Sequence, residues 1–443
     1  MKKIALFYFA WISYVGINAQ QLPDKNWLKY ANPKEAGFSE EKLNYAKQYY
    51  DSVGFGAGLI IHKGVIVASW GENTRRFMLA SMRKSLLSAL IGNAIENGKL
   101  DLNATLADLK IDEITPLTTK EKSAKLKDLL TTQSGVYLPS AFEFKGWKEL
   151  KPERGSHDPG TFWYYNNWDF NALGTIYEQA TQKKIFTAFK NEIATPIGME
   201  DYRPMDGVYY YEPESMHPAY LFKMSSRDLA RFGLLYLNGG KWNDKKVISE
   251  SWVSLSTQAQ AKAYDDQYGY LWWATPVNGM NAFTAQGAGS HVLTIIPELD
   301  LVVVVRTNDY IRPINNGSDI RLVELIVKAK NAIPVTNPQL VEHAWFQKES
   351  PAGSGTQSIN ESIFREYTHP QFGKFKVEQE KSKLTLLAKP ARFNMISVGM
   401  DEFYIEDMDI KAVFIAAEDP NLKNTCGFMI KPGSQGRVLA FYY

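Results

Sequence analysis

The sequence predicts a mixed α/β fold of the α+β kind: an antiparallel sheet flanked by helices, with an inserted helical lobe and a small all-β domain behind it. Three observations carry this. β-rich runs stand at both ends of the first 330 or so residues with helices between them. One of those helices is apolar on most of its faces. Beyond Glu361 the pattern changes to short strands alone.

The elements follow in order. Lys2 and Lys3 precede an uncharged run from Ile4 to Ile17, and Asn18-Ala19-Gln20 offers a small residue at an exit, so residues 1–19 read as a secretory signal peptide. The alternative is an uncleaved anchor. The expectation is an exported protein, periplasmic or secreted, with no stable membrane span after cleavage. Ser39 caps a helix whose stripe is Leu43, Ala46, Tyr49 and Tyr50. Ala57–Ile61 and Val65–Trp70, joined by His62-Lys63-Gly64, form a hairpin. The apolar helix runs from Met82 to Asn97 and ends at Gly98, with Leu86, Leu87, Leu90, Ile91, Ala94 and Ile95 at helical spacing.

Further helices are expected at Ala124–Thr131, Phe170–Gln179, Arg227–Asn238 and Ile320–Lys330, and an irregular polar excursion at Glu143–Asp158. Late strands are Tyr268–Ala274, Val292–Ile296 and Leu301–Thr307. The main domain therefore spans 20–335, a linker 336–360, and a β domain 361–443 with strands at Gly373–Glu378, Lys383–Leu387, Glu402–Ile405, Ala412–Ala416, Gly427–Ile430 and Val438–Tyr442.

Composition narrows the function. The chain has 443 residues, 50 Lys plus Arg against 48 Asp plus Glu, for a formal charge of +2. Such a balance argues against nucleic acid as a partner. A single cysteine, Cys426, excludes an internal disulfide and any cysteine-cluster metal site, and no two of the six histidines have metal-ligand spacing. No HExxH, P-loop, dinucleotide fingerprint or GxSxG elbow is present, so neither cofactor nor metal is expected.

Three motifs remain. Ser81-Met82-Arg83-Lys84 opens the apolar helix and puts Ser81 and Lys84 on one face. A serine hydroxyl becomes a nucleophile when a base takes its proton. A lysine can do so once its pKa of ~10.4 falls by about 3 units, roughly 4 kcal/mol of differential solvation. The same spacing occurs at Ser39–Lys42, where a cap is the better reading, and Ser81 could itself be a cap with Lys84 solvated. Tyr165-Asn166-Asn167 supplies a phenol and an amide. Tyr30–Asn32, Tyr164–Asn166 and Tyr236–Asn238 match the spacing too, and an aromatic loop under a helix is the structural alternative. Ala285-Gln286-Gly287-Ala288 leads through Gly289-Ser290-His291 into a strand, where glycine permits close approach and a backbone N–H can stabilise an oxyanion, or simply marks a strand entry.

The order of these motifs resembles the class C β-lactamase-like serine hydrolases, esterases, DD-peptidases and oligomer amidases among them, from about Trp27 to Ala332. Asp128-Leu129-Leu130, Ser134-Gly135-Val136, Ser225–Gly233 and Ile296-Pro297-Glu298-Leu299-Asp300-Leu301 support the resemblance, which is nearest to the branch of 6-aminohexanoate-oligomer hydrolases and esterases. It implies a β-lactamase/transpeptidase-like fold and cleavage of small or short-oligomer esters or amides through an acyl-enzyme. Ser81 would be the nucleophile, and Lys84 and Tyr165 the proton acceptors or relays. Asn167, Gln286, Gly287 and Ala288 would bind substrate, with the N–H groups of Ser81 and Ala288 as oxyanion hole.

One departure stands out. Ala285-Gln286-Gly287 lacks the cation such families carry there, which disfavours lactams and substrates with a free carboxylate. His291, about 13 Å along an extended segment, is a poor substitute. Tyr209-Tyr210-Tyr211 and Trp272-Trp273 could both wall the cleft, with a rim the better reading for the tyrosines and a buried core for the tryptophans. The alternatives are a non-catalytic binding relative of the same fold, or a β-lactamase or DD-peptidase in the strict sense.

Overall fold

The computed structural model describes residues 21–143, 145–307, 317–346, 363–364 and, beyond these, the strands between 366 and 441 named below. The expected signal peptide and the stretch Ser350–Ser358 lie outside the described residues.

A seven-stranded sheet forms the centre: β1 (Leu28–Tyr30), β2 (Ala57–His62), β3 (Val65–Gly71), β4 (Phe283–Gly287), β5 (His291–Ile296), β6 (Leu301–Arg306) and β7 (Leu340–Glu342), in the order β4-β5-β6-β2-β3-β1-β7. The early and late runs meet where β6 pairs antiparallel with β2, from Leu301↔His62 to Arg306↔Ala57. Only β1 departs from the expected antiparallel pattern, by pairing parallel with β3. β7, within the stretch read as linker, pairs with β1, and His343 N–H donates to the Trp27 carbonyl. The β2–β3 turn works because Lys63 (φ 51°) and Gly64 (φ 79°) both take the left-handed conformation that a two-residue hairpin demands.

Both sheet faces are covered, which explains the unbroken apolar run of β6. Leu301, Val303 and Val305 join one core cluster, and Val302 and Val304 the other. On the first side lie α1 (Glu40–Val53) and, from the end of the main domain, the helix Ser318–Ala329, packed on each other. On the second side lies the lobe inserted between β3 and β4. It holds α2 (Arg83–Glu96), α3 (Asn167–Thr181) and α4 (Ser226–Leu237), so Ser318–Ala329 becomes α5. α2 is buried almost all round, as its composition predicts. Its small side serves an unforeseen purpose: Ser85 and Ser88 donate to the carbonyls of Leu271 and Tyr270 and fasten the segment carrying Trp272 and Trp273. That segment is no strand. Beyond Asp266–Tyr268 only isolated bridges continue, from Trp273 to Tyr268 and to Thr284 of β4, and Leu271 (φ 66°) turns the chain.

The C-terminal strands form their own sheets. Glu366–His369, Gly373–Glu380, Lys383–Ala388, Ala391–Gly399, Glu402–Ile405 and Ile410–Val413 make a sequential antiparallel meander, and Cys426–Met429 pairs with Val438–Phe441. The first and fourth were not foreseen, and the strand expected at Ala412–Ala416 lies earlier, at Ile410–Val413.

Candidate active site

Ser81 sits in a short 3-10 turn, Ala80–Met82, that runs directly into α2. The approach is held rigidly. Phe77–Met78 pairs with Lys223–Met224, and the Leu79 N–H donates to the Phe222 carbonyl. At the end of β6 the buried Arg306 donates to the carbonyls of both Met78 and Met224. Ala80 takes φ 46°, a conformation that costs a residue with a Cβ about 1–2 kcal/mol. β4 closes from the other side. A Cβ on Gly287 would stand 2.7 Å from the Leu79 carbonyl oxygen, so only glycine lets this strand reach the turn carrying Ser81.

One turn along α2, Lys84 Nζ lies 2.8 Å from Ser81 Oγ and 2.7 Å from Tyr165 Oη. Lys84 is 2 % exposed, and its ammonium position is 4.3 Å from the ring centre of Tyr165 and 4.1 Å from that of Phe170. Burial, reinforced by the neighbouring Arg83 guanidinium, holds the amine well below the ordinary lysine range. Burial pushes the Tyr165 phenol the other way, to about 12, against the pull of Ser81 and Arg83. The two shifts run in opposite senses: burial favours the neutral amine of Lys84 and the protonated phenol of Tyr165.

The loop carrying Tyr165 is clamped from behind. Thr132 Oγ1 donates to the Tyr164 carbonyl and accepts from Asn166 N–H. Asn166 caps α3 by accepting from Trp168 N–H, and its amide donates to the Val136 carbonyl. Ser134 Oγ donates to the fully buried Asp169. Tyr164 and Asn166 thus serve the scaffold, while Tyr165 and Asn167 face the cleft.

A cavity of about 250 Å³ gathers the predicted residues: Ser81, Tyr165 and Asn167 on one side, Gln286, Gly287 and Ala288 on the other. Lys84 lies beneath, at Ser81. Of the other walls, the sequence offered Trp273 only as the lesser reading and missed the rest. Trp147, from the polar excursion, packs 5.1 Å from the Tyr165 ring; Trp273 stacks on it at 6.0 Å. Ser290, Gly317 and Asp319 complete the lining. Of the tryptophan pair only Trp272 is core, since adjacent residues beyond the turn at Leu271 point to opposite sides. The tyrosine run lines no part of this cavity: Tyr209 donates to Glu178, Tyr210 packs on Phe142 and Tyr211 is exposed. His291 is nearer than an extended chain allows, because the hairpin sets it opposite Gly287. Even so it is a support, accepting from Arg306 Nε and the Thr307 N–H at Nδ1. Among the described residues no cluster of His, Cys, Asp and Glu could hold a metal, and no helix is long and apolar enough to cross a membrane.

A sheet with an inserted helical lobe, and a cleft between them, defines the class to which β-lactamases and penicillin-binding proteins belong. A beta-lactamase family model matches residues 46–328, and the chain belongs to that family, which places it among hydrolases. Solved structures share the fold. A Bacillus anthracis protein provisionally named a 6-aminohexanoate-dimer hydrolase is 22 % identical, with 64 % of this chain and 81 % of that one covered at a TM-score of 0.52. A Bacteroides dorei protein provisionally named a beta-lactamase is 15 % identical, with 66 % and 99 % covered at 0.51.

Proposed function

We propose that the protein cleaves ester or uncharged amide bonds through an acyl-enzyme on Ser81. The observation that carries this reading is the contact of one buried amine with a serine hydroxyl and a phenol, at 2.8 and 2.7 Å. Neutral Lys84 takes the Ser81 proton as Oγ attacks the carbonyl. Tyr165, hydrogen-bonded to Lys84, relays that proton to the leaving group and then orients the water that releases the acid. The amides of Ser81 and Ala288 hold the oxyanion, and Asn167 and Gln286 orient the substrate. No cation lines the described cleft at the third motif, which supports substrates other than lactams and C-terminal peptides. We further propose, from Lys2-Lys3 and the apolar run behind them, that the chain is exported, and that residues 361–443 are a separate β domain.

The test is active-site labelling. A fluorophosphonate probe is expected to modify Ser81, located by peptide mass spectrometry, and to abolish turnover of 4-nitrophenyl butyrate in step with labelling. Full labelling elsewhere, or turnover that persists after Ser81 is modified, overturns the acyl-enzyme.

A further inference from the structure

Acylation creates a buried charge with no acidic counterion. As Lys84 takes the Ser81 proton, a full positive charge forms on a side chain that is 2 % exposed. Removing an ammonium from water is costly unless something replaces its hydration, and a buried lysine is ordinarily paired. Among the described residues no carboxylate is hydrogen-bonded or ion-paired to Lys84, Asp319 of the cavity wall included. Its polar partners are the Ser81 hydroxyl and the Tyr165 phenol. The charged neighbour on α2 is the Arg83 guanidinium, which repels an ammonium. The phenols of Tyr220 and Tyr268 stand near Tyr165, and burial raises the pKa of both.

What replaces the hydration is aromatic. Phe170 lies in the first turn of α3, is fully buried, and meets the Tyr165 ring edge to face at 4.9 Å. Lys84 Nζ sits over the Phe170 ring, 4.1 Å from its centre, and 4.3 Å from that of Tyr165. The negative face of an aromatic ring attracts a cation within about 6 Å, more strongly where water is excluded. Each ring therefore acts on Lys84 in two opposed ways. As cover it excludes water and disfavours the charged amine; as a quadrupole it favours that amine. An aliphatic side chain in the same place supplies the first effect without the second. Phe170 lines no part of the cavity, so substrate contact does not account for it.

We propose that the face of Phe170 takes the place of a carboxylate for Lys84, stabilising the ammonium that forms as Ser81 attacks. This role rests on the acyl-enzyme reading above. No bond or proton passes to Phe170: the Ser81 proton moves to Lys84 Nζ as the Oγ–carbon bond forms, and leaves through Tyr165 to the departing group. Phe170 is thus a positioning residue that acts through Lys84.

The experiment replaces Phe170, in the full chain, by 4-fluoro-, 3,5-difluoro- and 3,4,5-trifluorophenylalanine introduced at that site alone. Fluorine keeps the ring apolar and close to its shape while removing the negative face stepwise. The kcat/KM profile for 4-nitrophenyl butyrate is read against pH. With each fluorine the plateau is expected to fall, by roughly tenfold over the series, and the acid limb to move to lower pH by about half a unit in all, because a weaker ring face holds the ammonium less well. Phe170→Leu keeps the cover and loses the ring, and is expected to match the trifluoro end of the series. The same fluorinated residues at Phe189, a buried phenylalanine whose ring contacts are Tyr202, Phe222 and Phe232 and not Lys84, are expected to change neither plateau nor limb. A response independent of fluorine content, a limb that moves to higher pH, a Phe170→Leu enzyme as active as wild type, or an equal response at Phe189 overturns the proposal. Fluorophosphonate labelling is read on the wild type and on each variant. A flat series with Ser81 labelled removes only the role of Phe170, and an unlabelled wild-type Ser81 removes the acyl-enzyme reading first.

Discussion

The chain contains the same four-residue spacing twice, and the two copies do opposite things. Ser39 precedes α1 in extended backbone, and its hydroxyl accepts from the Lys42 N–H at 3.3 Å, the ordinary work of a helix cap. Lys42 points into solvent. Ser81 lies inside a helical turn and makes no cap hydrogen bond, so its hydroxyl is left for Lys84 Nζ. Lys84 is covered by Tyr165 and Phe170. The difference is one of position and cover. A serine on the threshold of a helix has its oxygen committed to backbone, and a serine one step inside does not. Lys42 lies in solvent, whereas burial under aromatic rings and beside Arg83 lowers the pKa of Lys84.

The comparison breaks most sharply at the serines. Ser81→Ala is expected to lower kcat/KM for a short-chain ester by at least ~10³-fold with melting temperature little changed. Ser39→Ala is expected to leave turnover alone and cost about 1 kcal/mol of stability, read by denaturant titration. Equal effects of the two substitutions on turnover would remove the distinction.

The lysines come next. Lys84→Met keeps the volume and removes a buried amine, so activity is expected to fall ~10²–10³-fold while stability stays equal to wild type or rises. Lys42→Met is expected to change neither. The pH dependence fixes the sign. With its native pKa lowered, Lys84 binds fewer protons folded than unfolded between that value and the ordinary lysine value of 10.5. Wild type therefore gains stability relative to Lys84→Met as pH rises through that window. Turnover falls on acidification through the lowered value, where the amine becomes charged. A wild-type rate that rises on acidification would contradict Lys84 as base.

The smallest expected effect concerns Arg83, which is buried beside Lys84 with its guanidinium over the Tyr220 ring at 4.4 Å. Removing this charge in Arg83→Gln is expected to raise the Lys84 pKa and shift the acid limb of the kcat/KM profile to higher pH, with the plateau rate reduced less than tenfold. A limb that stays in place would leave burial as the whole cause.

Much of the site is legible in the sequence because its parts are local. Ser81 and Lys84 are linked by one helical turn, Tyr165 and Asn167 by a loop entering a helix, and Gln286, Gly287 and Ala288 by one strand edge. The walls are not local. Trp147 comes from a stretch with no periodicity, Trp273 is separated from buried Trp272 only by a change of direction, and Asp319 begins a helix that reads as ordinary amphipathic cover. The tyrosine run failed as a rim for the same reason, since composition says that aromatics are present and not which surface they meet. His291 shows the reverse error: distance counted along a straight chain is cancelled by a tight hairpin.

By itself the sequence determined the elements and the reactive pair, because a helical turn and a hydrophobic repeat are properties of neighbouring residues. It also set the order in which the three motifs appear. The tertiary structure alone decided which of two Ser–Lys pairs is dry, which of two adjacent tyrosines reaches the amine, and that a carboxylate faces the cleft where a cation was missing. Those outcomes depend on solvent exclusion and on charges brought together from distant parts of the chain, and no local spacing encodes either.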